Sequence, residues 1–230
     1  MRFRSAPWTL GLTVMGGLGV AAFLSGIWLQ LPWLRLASKA VPVLCLAVWL
    51  WPPRERYTRW IATGLVLSLV GDLVLETRKD LFLAGLGSFL LAHVAYVAAY
   101  LTASRTPRWK LGVPFLVSGA GIWWFLQPGL GELALPVGVY VAVICTMMWR
   151  SAALMGSEGL ARREQWAALI GALCFGLSDT LLSLRMFVHP FEGLSYAIIL
   201  LYWAGQLGIA LSAVPSPGRS EAQPVVVGSN

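Results

Sequence analysis

The run Trp60-Ile-Ala-Thr-Gly-Leu-Val-Leu-Ser-Leu-Val-Gly-Asp72-Leu-Val-Leu-Glu76 decides the class of this protein. Between Trp60 and Leu75 the sole charge is Asp72, and the stretch approaches the ~20 residues that cross a hydrocarbon layer. A carboxylate at membrane depth costs at least a few kcal/mol, so Asp72 must face protein or a watery cavity and serve a purpose there.

The rest of the chain repeats the pattern. Hydrophobic residues make up 58% of it and charged residues only 12%, against about a quarter charged in soluble domains. Charged, Pro and Gly clusters cut it into apolar stretches at 8–30, 34–51, 60–76, 81–102, 111–126, 133–149, 165–184 and 194–213. These predict an all-α membrane protein with eight transmembrane helices, the transmembrane domain covering 1–214 and a disordered cytoplasmic tail covering 215–230. A re-entrant pair is the alternative for 111–126 and 133–149, which Gln127-Pro-Gly-Leu-Gly131 joins. Lipid-facing barrel strands alternate polar and apolar residues, which these runs do not.

Arg2 and Arg4 precede the first apolar run, but that run is longer than the apolar core of a signal peptide, and Ala37-Ser-Lys-Ala40 comes too late for cleavage. Twelve Lys and Arg residues fall on one side of the spans; Arg35, Lys39, Arg78, Lys79 and Arg185 fall on the other. That bias predicts both termini in the cytoplasm of a multi-pass protein, in the inner membrane if the source is bacterial. The net charge of +7 follows from the bias and from attraction to lipid headgroups, without nucleic acid as a partner. Cys45, Cys145 and Cys174 read as small buried apolar residues. Most tryptophans, Trp203 among them, read as interfacial belts, while Trp123 and Trp124 lie deeper and line lipid or a cavity.

A second aspartate sits in Phe175-Gly-Leu-Ser-Asp179-Thr-Leu-Leu182. Counted from Trp60 and Gln165, Asp72 lies about 18 Å and Asp179 about 21 Å along its helix, so the two share a depth. Each has a small residue before it, aliphatics after it and an arginine six positions on, Arg78 or Arg185. The likeness hints at a four-plus-four helix repeat with a site at its interface. Phe82, Gly85, Phe89, His93, Tyr96 and Tyr100 recur at spacings of three and four and form one stripe; Tyr202 and Gln206 stand in the same relation. Lys39 is expected at the start of the second helix, near the level of Asp72.

Lys39-Ala-Val-Pro42, Gly71-Asp72, Phe82-x-x-Gly85-x-x-x-Phe89-x-x-Ala92-His93-x-x-Tyr96, Gly171-Ala-Leu-x-Phe175-x-x-Ser178-Asp179 and Tyr202-x-x-x-Gln206 follow one another in this order. Together they resemble the ordered motifs of the YhhN/TMEM86 family of membrane proteins, over most of the chain. The resemblance implies a lysoplasmalogenase, which hydrolyses the vinyl ether of a lysoplasmalogen to a fatty aldehyde and glycerophosphoethanolamine or glycerophosphocholine. Glu76 and Arg78 depart from the pattern, and Glu76 reads as solvated.

The residues suit that chemistry. Vinyl ether hydrolysis begins with proton delivery to the carbon β to oxygen, and water then captures the oxocarbenium ion. A pair of carboxyls, one protonated and one ionised, supplies the acid and the base. Asp72 and Asp179 are the expected catalytic pair, with Lys39 favouring Asp72 as the base and Asp179 as the acid. His93, Tyr96, Tyr202 and Gln206 are expected to hold water and the glycerol hydroxyl. Ser68 and Ser178 are further substrate-binding candidates. Arg78, Lys79 and Arg185 are expected at the outer mouth, where the phosphate of a lysophospholipid substrate would sit while its alkenyl chain runs between helices, with membrane lipids around the protein.

The chain has only His93 and His189, too few for the usual zinc ligand set, and no Gly-x-Ser-x-Gly elbow, so neither metal nor cofactor is expected. The alternative from another class is a proton-coupled membrane transporter using the same aspartates.

Overall fold

A computed structural model describes residues 6–77, 81–188 and 193–215. Arg78, Lys79, His189, Glu192 and the expected tail from residue 216 onward lie outside the described residues. Those that are described fold into helices without a strand: α1 (Ala6–Trp28), α2 (Pro32–Lys39), α3 (Val41–Trp49), α4 (Arg56–Thr77), α5 (Phe82–Ala103), α6 (Val113–Leu130), α7 (Ala134–Ala153), α8 (Arg162–Phe187) and α9 (Leu194–Ser212). Among the described residues, six segments are long and apolar enough to cross a membrane, and one of them, Trp109–Ala153, contains both α6 and α7.

The expected helix over 34–51 is instead two short helices, α2 and α3, broken at Ala40. Pro42 is the cause, since it has no N–H for the Ser38 carbonyl and its ring crowds that turn. Lys39 therefore ends α2 rather than beginning a helix. The break turns the basic end of α2 toward α4.

Burial is inverted relative to a soluble protein. Leu18, Leu116, Trp124 and Leu135 are among many large apolar side chains left exposed, while Asp72, His93, Arg150, Glu164, Gln165 and Gln206 are buried. Such an exterior is matched by lipid, where polar groups gain by turning inward.

Two close-packed hairpins form the centre, α4 on α5 and α8 on α9. Glycines set the second spacing: a Cβ on Gly171 would stand 2.6 Å from Ile209 N, and one on Gly205 2.8 Å from Phe175 N. Ser88 Oγ of α5 donates to Leu67 O at 2.7 Å, and Ser178 Oγ of α8 donates to Ile198 O at 2.9 Å, so each hairpin carries a hydroxyl tie. α7 packs against α5 and α8, and α3 against α4 and α9. The stripe on α5 is buried as its spacing predicts, with Gly85, Phe89, His93, Tyr96 and Tyr100 all turned inward. Trp203 departs from the interfacial reading: it is buried within α9, edge-on to Phe23 at 5.4 Å.

Candidate functional site

Asp72 is the 17th residue of α4 and Asp179 the 18th of α8, counted from Arg56 and Arg162. At ~1.5 Å per residue the two stand about 24 and 26 Å from their helix starts. Both reach one cavity of about 510 Å³, whose polar lining includes Lys39, Glu76, Tyr140 and Tyr202. The rest of the wall is apolar, with Phe23, Leu86, Phe89 and Ile199 among its side chains. Polar and apolar walls thus face one space.

The two carboxyls have different neighbours. Asp72 Oδ2 accepts the Tyr202 hydroxyl at 2.6 Å, and Lys39 Nζ lies 3.6 Å from its other oxygen. Lys39 also reaches Glu76 Oε2 at 3.1 Å, and Arg35 Nη2 donates to Glu76 Oε1 at 2.9 Å. Glu76 is thus held between two bases at 17% side-chain exposure, where the sequence suggested a solvated residue. This row of alternating charge follows from the α2 break, which brings Arg35 and Lys39, one turn apart, to Asp72 and Glu76, one turn apart on α4.

Asp179 has no Lys or Arg in the ion pairs of the described residues. Its Oδ2 accepts the Tyr140 hydroxyl at 2.5 Å, and His93 Nε2 stands 3.7 Å away, beyond hydrogen-bond distance. His93 is fully buried and edge-on to Phe175 at 4.6 Å and Tyr140 at 5.3 Å. Each aspartate therefore owns a phenol, but only Asp72 owns a cation.

Of the expected residues, Lys39, Asp72, Ser178, Asp179, Arg185 and Tyr202 line the cavity. Ser68, His93, Tyr96 and Gln206 do not; they are buried behind its wall, where Tyr96 OH donates to Gln206 Oε1 at 2.7 Å. Arg185 is exposed near the end of α8 and lines the same cavity. Arg78 lies outside the described residues. Arg35, Glu76 and Tyr140 belong to the site and were not identified as site residues from sequence. The only signal for Arg35 and Glu76 was helical spacing, i to i+4 from Lys39 and Asp72. Tyr140 offered none, being a lone tyrosine in an apolar run. Among the described residues, no three His, Cys, Asp or Glu side chains gather as metal ligands.

The model of the YhhN family matches residues 34–213. Human lysoplasmalogenase TMEM86B is 36% identical over 190 residues, covering 82% of this chain and 79% of the relative. Lysoplasmalogenase TMEM86A of Bos taurus is 34% identical over 194 residues, 80% of each chain. A lysoplasmalogenase of Mycobacterium bovis is 31% identical over 214 residues, 83% of this chain and 78% of the relative. No solved structure matches.

Proposed function

We propose that this chain, which belongs to the YhhN family, is a membrane ether hydrolase that cleaves the vinyl ether of lysoplasmalogens with Asp179 as general acid and Asp72 as general base. The observation that carries the assignment of roles is the asymmetry of the two carboxyls: Lys39 at 3.6 Å complements an anion at Asp72, while Asp179 has a hydroxyl donor and no Lys or Arg in the ion pairs of the described residues. Acid and base are commonly separated in this way, by environments that favour opposite protonation states.

In this reading Asp179 gives its proton to the carbon β to the ether oxygen, leaving an oxocarbenium ion. Asp72 takes a proton from the water that attacks that cation, and a hemiacetal results. The Asp72 carboxylic acid then protonates the departing glyceryl oxygen while Asp179 accepts the hemiacetal hydroxyl proton. The C–O bond breaks, the aldehyde and the glycerophospho-alcohol leave, and both carboxyls return to their starting forms with one water consumed. The carboxylate of Asp72 lowers the energy of the cation.

Tyr202 and Tyr140 orient the two carboxyls, and the buried layer of Ser68, His93, Tyr96 and Gln206 fixes the wall from which they project. The alkenyl chain follows the apolar wall past Phe89 and Leu86. The phosphate sits at the Arg185 side of the mouth, with Arg78 as a further candidate. Eight spans follow if α2 and α3 cross together and α6 and α7 cross separately; the Lys and Arg bias then places the termini in the cytoplasm and the mouth on the opposite side. Two close-packed hairpins, each with an aspartate on its first helix, support a duplicated unit. The transporter reading is not favoured, because the relatives are named for an enzyme.

The test is aldehyde release by purified protein from a lysoplasmalogen and from its 1-acyl analogue. Expected are aldehyde from the vinyl ether alone and a loss of about 10²–10⁴-fold in Asp72→Asn and in Asp179→Asn, the usual contribution of acid–base groups. Full turnover by either variant would overturn the mechanism, and wild-type protein without aldehyde would overturn the function.

A further inference from the structure

α7 has two faces. Val137 and Tyr140 look into the carboxylate cavity, while Gly138, Val141, Ala142 and Cys145 line a separate groove of about 620 Å³ against α6. Small residues make it concave, and indoles frame it. A Cβ on Gly138 would stand 2.9 Å from Trp123 Nε1, and one on Gly112 would stand 3.0 Å from the Trp149 ring. The outer lip, Leu116 and Trp109, is 70% and 69% exposed, so the groove opens sideways to lipid rather than inward to the catalytic cavity.

Basic residues adjoin Trp109, which lines one end of the groove. Trp109 lies over Trp149 with ring centroids 4.7 Å apart and closes that end. Its neighbours Arg108 and Lys110, and Arg105 just before them, are exposed. The rim is held in place: Arg150 Nη1 donates to Thr106 O at 3.0 Å and Nη2 to Ser104 O at 2.5 Å, and Trp149 Nε1 donates to Arg108 O at 3.3 Å. An oily trough beside a backbone segment that is held in place and carries exposed cations suits a phospholipid: chain in the trough, phosphate on the bases. The tryptophans at that end suit the headgroup level.

We propose that the groove between α6 and α7 binds an anionic phospholipid of the surrounding membrane, with one acyl chain between Trp123 and Trp149 and the headgroup at Arg105 and Lys110. The site is distinct from the catalytic cavity and does not depend on the reaction assigned above. Because α7 carries Tyr140 on its other face, the bound lipid buttresses the helix that positions Asp179.

Native mass spectrometry of the full chain in detergent micelles tests this, with dioleoyl phosphatidylglycerol and dioleoyl phosphatidylcholine as probes. The expected result is preferential binding of phosphatidylglycerol, lost in Ala142→Phe, which fills the trough. In the double variant Arg105→Ala, Lys110→Ala, both exposed, affinity falls on the order of 10-fold or more, since a surface base contributes about fivefold toward an anionic lipid, and the preference over phosphatidylcholine disappears. Equal binding of the two lipids by the wild type would overturn the proposal. So would undiminished phosphatidylglycerol binding in the double variant, which answers even if Ala142→Phe fails to fold, or a dimer that Ala142→Phe splits, since a second copy would then cover the groove.

Discussion

Tyr140→Phe removes one oxygen and little else. The hydroxyl donates to Asp179 Oδ2 at 2.5 Å, and the ring packs edge-on to His93 at 5.3 Å. Phenylalanine keeps that ring in place, so the change isolates the hydrogen bond. A bond to a charged or reacting carboxyl contributes about 1.5–3 kcal/mol. Asp179 is 14% exposed and lines the cavity, so water replaces part of the lost donation and the low end applies. At ~1.4 kcal/mol per decade of rate, kcat for vinyl ether cleavage falls about tenfold. The phenol orients the acid rather than binding lipid, so KM stays within about twofold. The assay is initial aldehyde release across a range of lysoplasmalogen concentrations, with melting in detergent followed in parallel. An unchanged kcat, or a loss expressed wholly in KM, would refute the role given to Tyr140. A fall in kcat matched by a large fall in Tm would reduce it to packing.

Two further expectations come from other parts of the molecule. Arg185→Ala, at the exposed mouth, raises KM for the lysophospholipid more than it lowers kcat, and steady-state kinetics with a headgroup-bearing and a headgroup-free vinyl ether separates the two effects; equal losses on both substrates would remove Arg185 from headgroup binding. Gly205→Ala forces α8 and α9 apart, because the new methyl meets backbone at Phe175 N, 2.8 Å, and Gly171 O, 3.0 Å; overpacking of this kind costs about 1–3 kcal/mol and should appear as a lowered Tm in detergent, whereas an unchanged Tm would show that the hairpin spacing is soft.

Much of the site was legible because helices write their faces into the chain. The α5 stripe from Gly85 to Tyr100 and the pair Tyr202 and Gln206 could be read at spacings of three and four, and each is buried as that reading requires. The two aspartates stood out because a charge inside an apolar run has no bland explanation at low energy. Lys39 was legible as a partner by depth alone, and the structure places it 3.6 Å from Asp72. Local reasoning fails at α2: reading 34–51 as one unbroken helix leaves out what Pro42 does to the turn before it, and so puts Lys39 at the wrong end of its helix.

Local rules stop at contacts between distant segments. Tyr140 and Asp179 are 39 residues apart, and Tyr202 and Asp72 are 130 apart; neither pairing leaves a periodic mark on either helix. Glu76 looked solvated because its sequence neighbours are polar, and only the turn of α2 back onto α4 encloses it between Arg35 and Lys39. Composition and periodicity carry the helical class and the inward face of α5, since those depend on hydrogen bonds and transfer energies within one helix. Which inward face meets which is set by packing between helices, and that alone gave one aspartate a cation and left the other with a phenol.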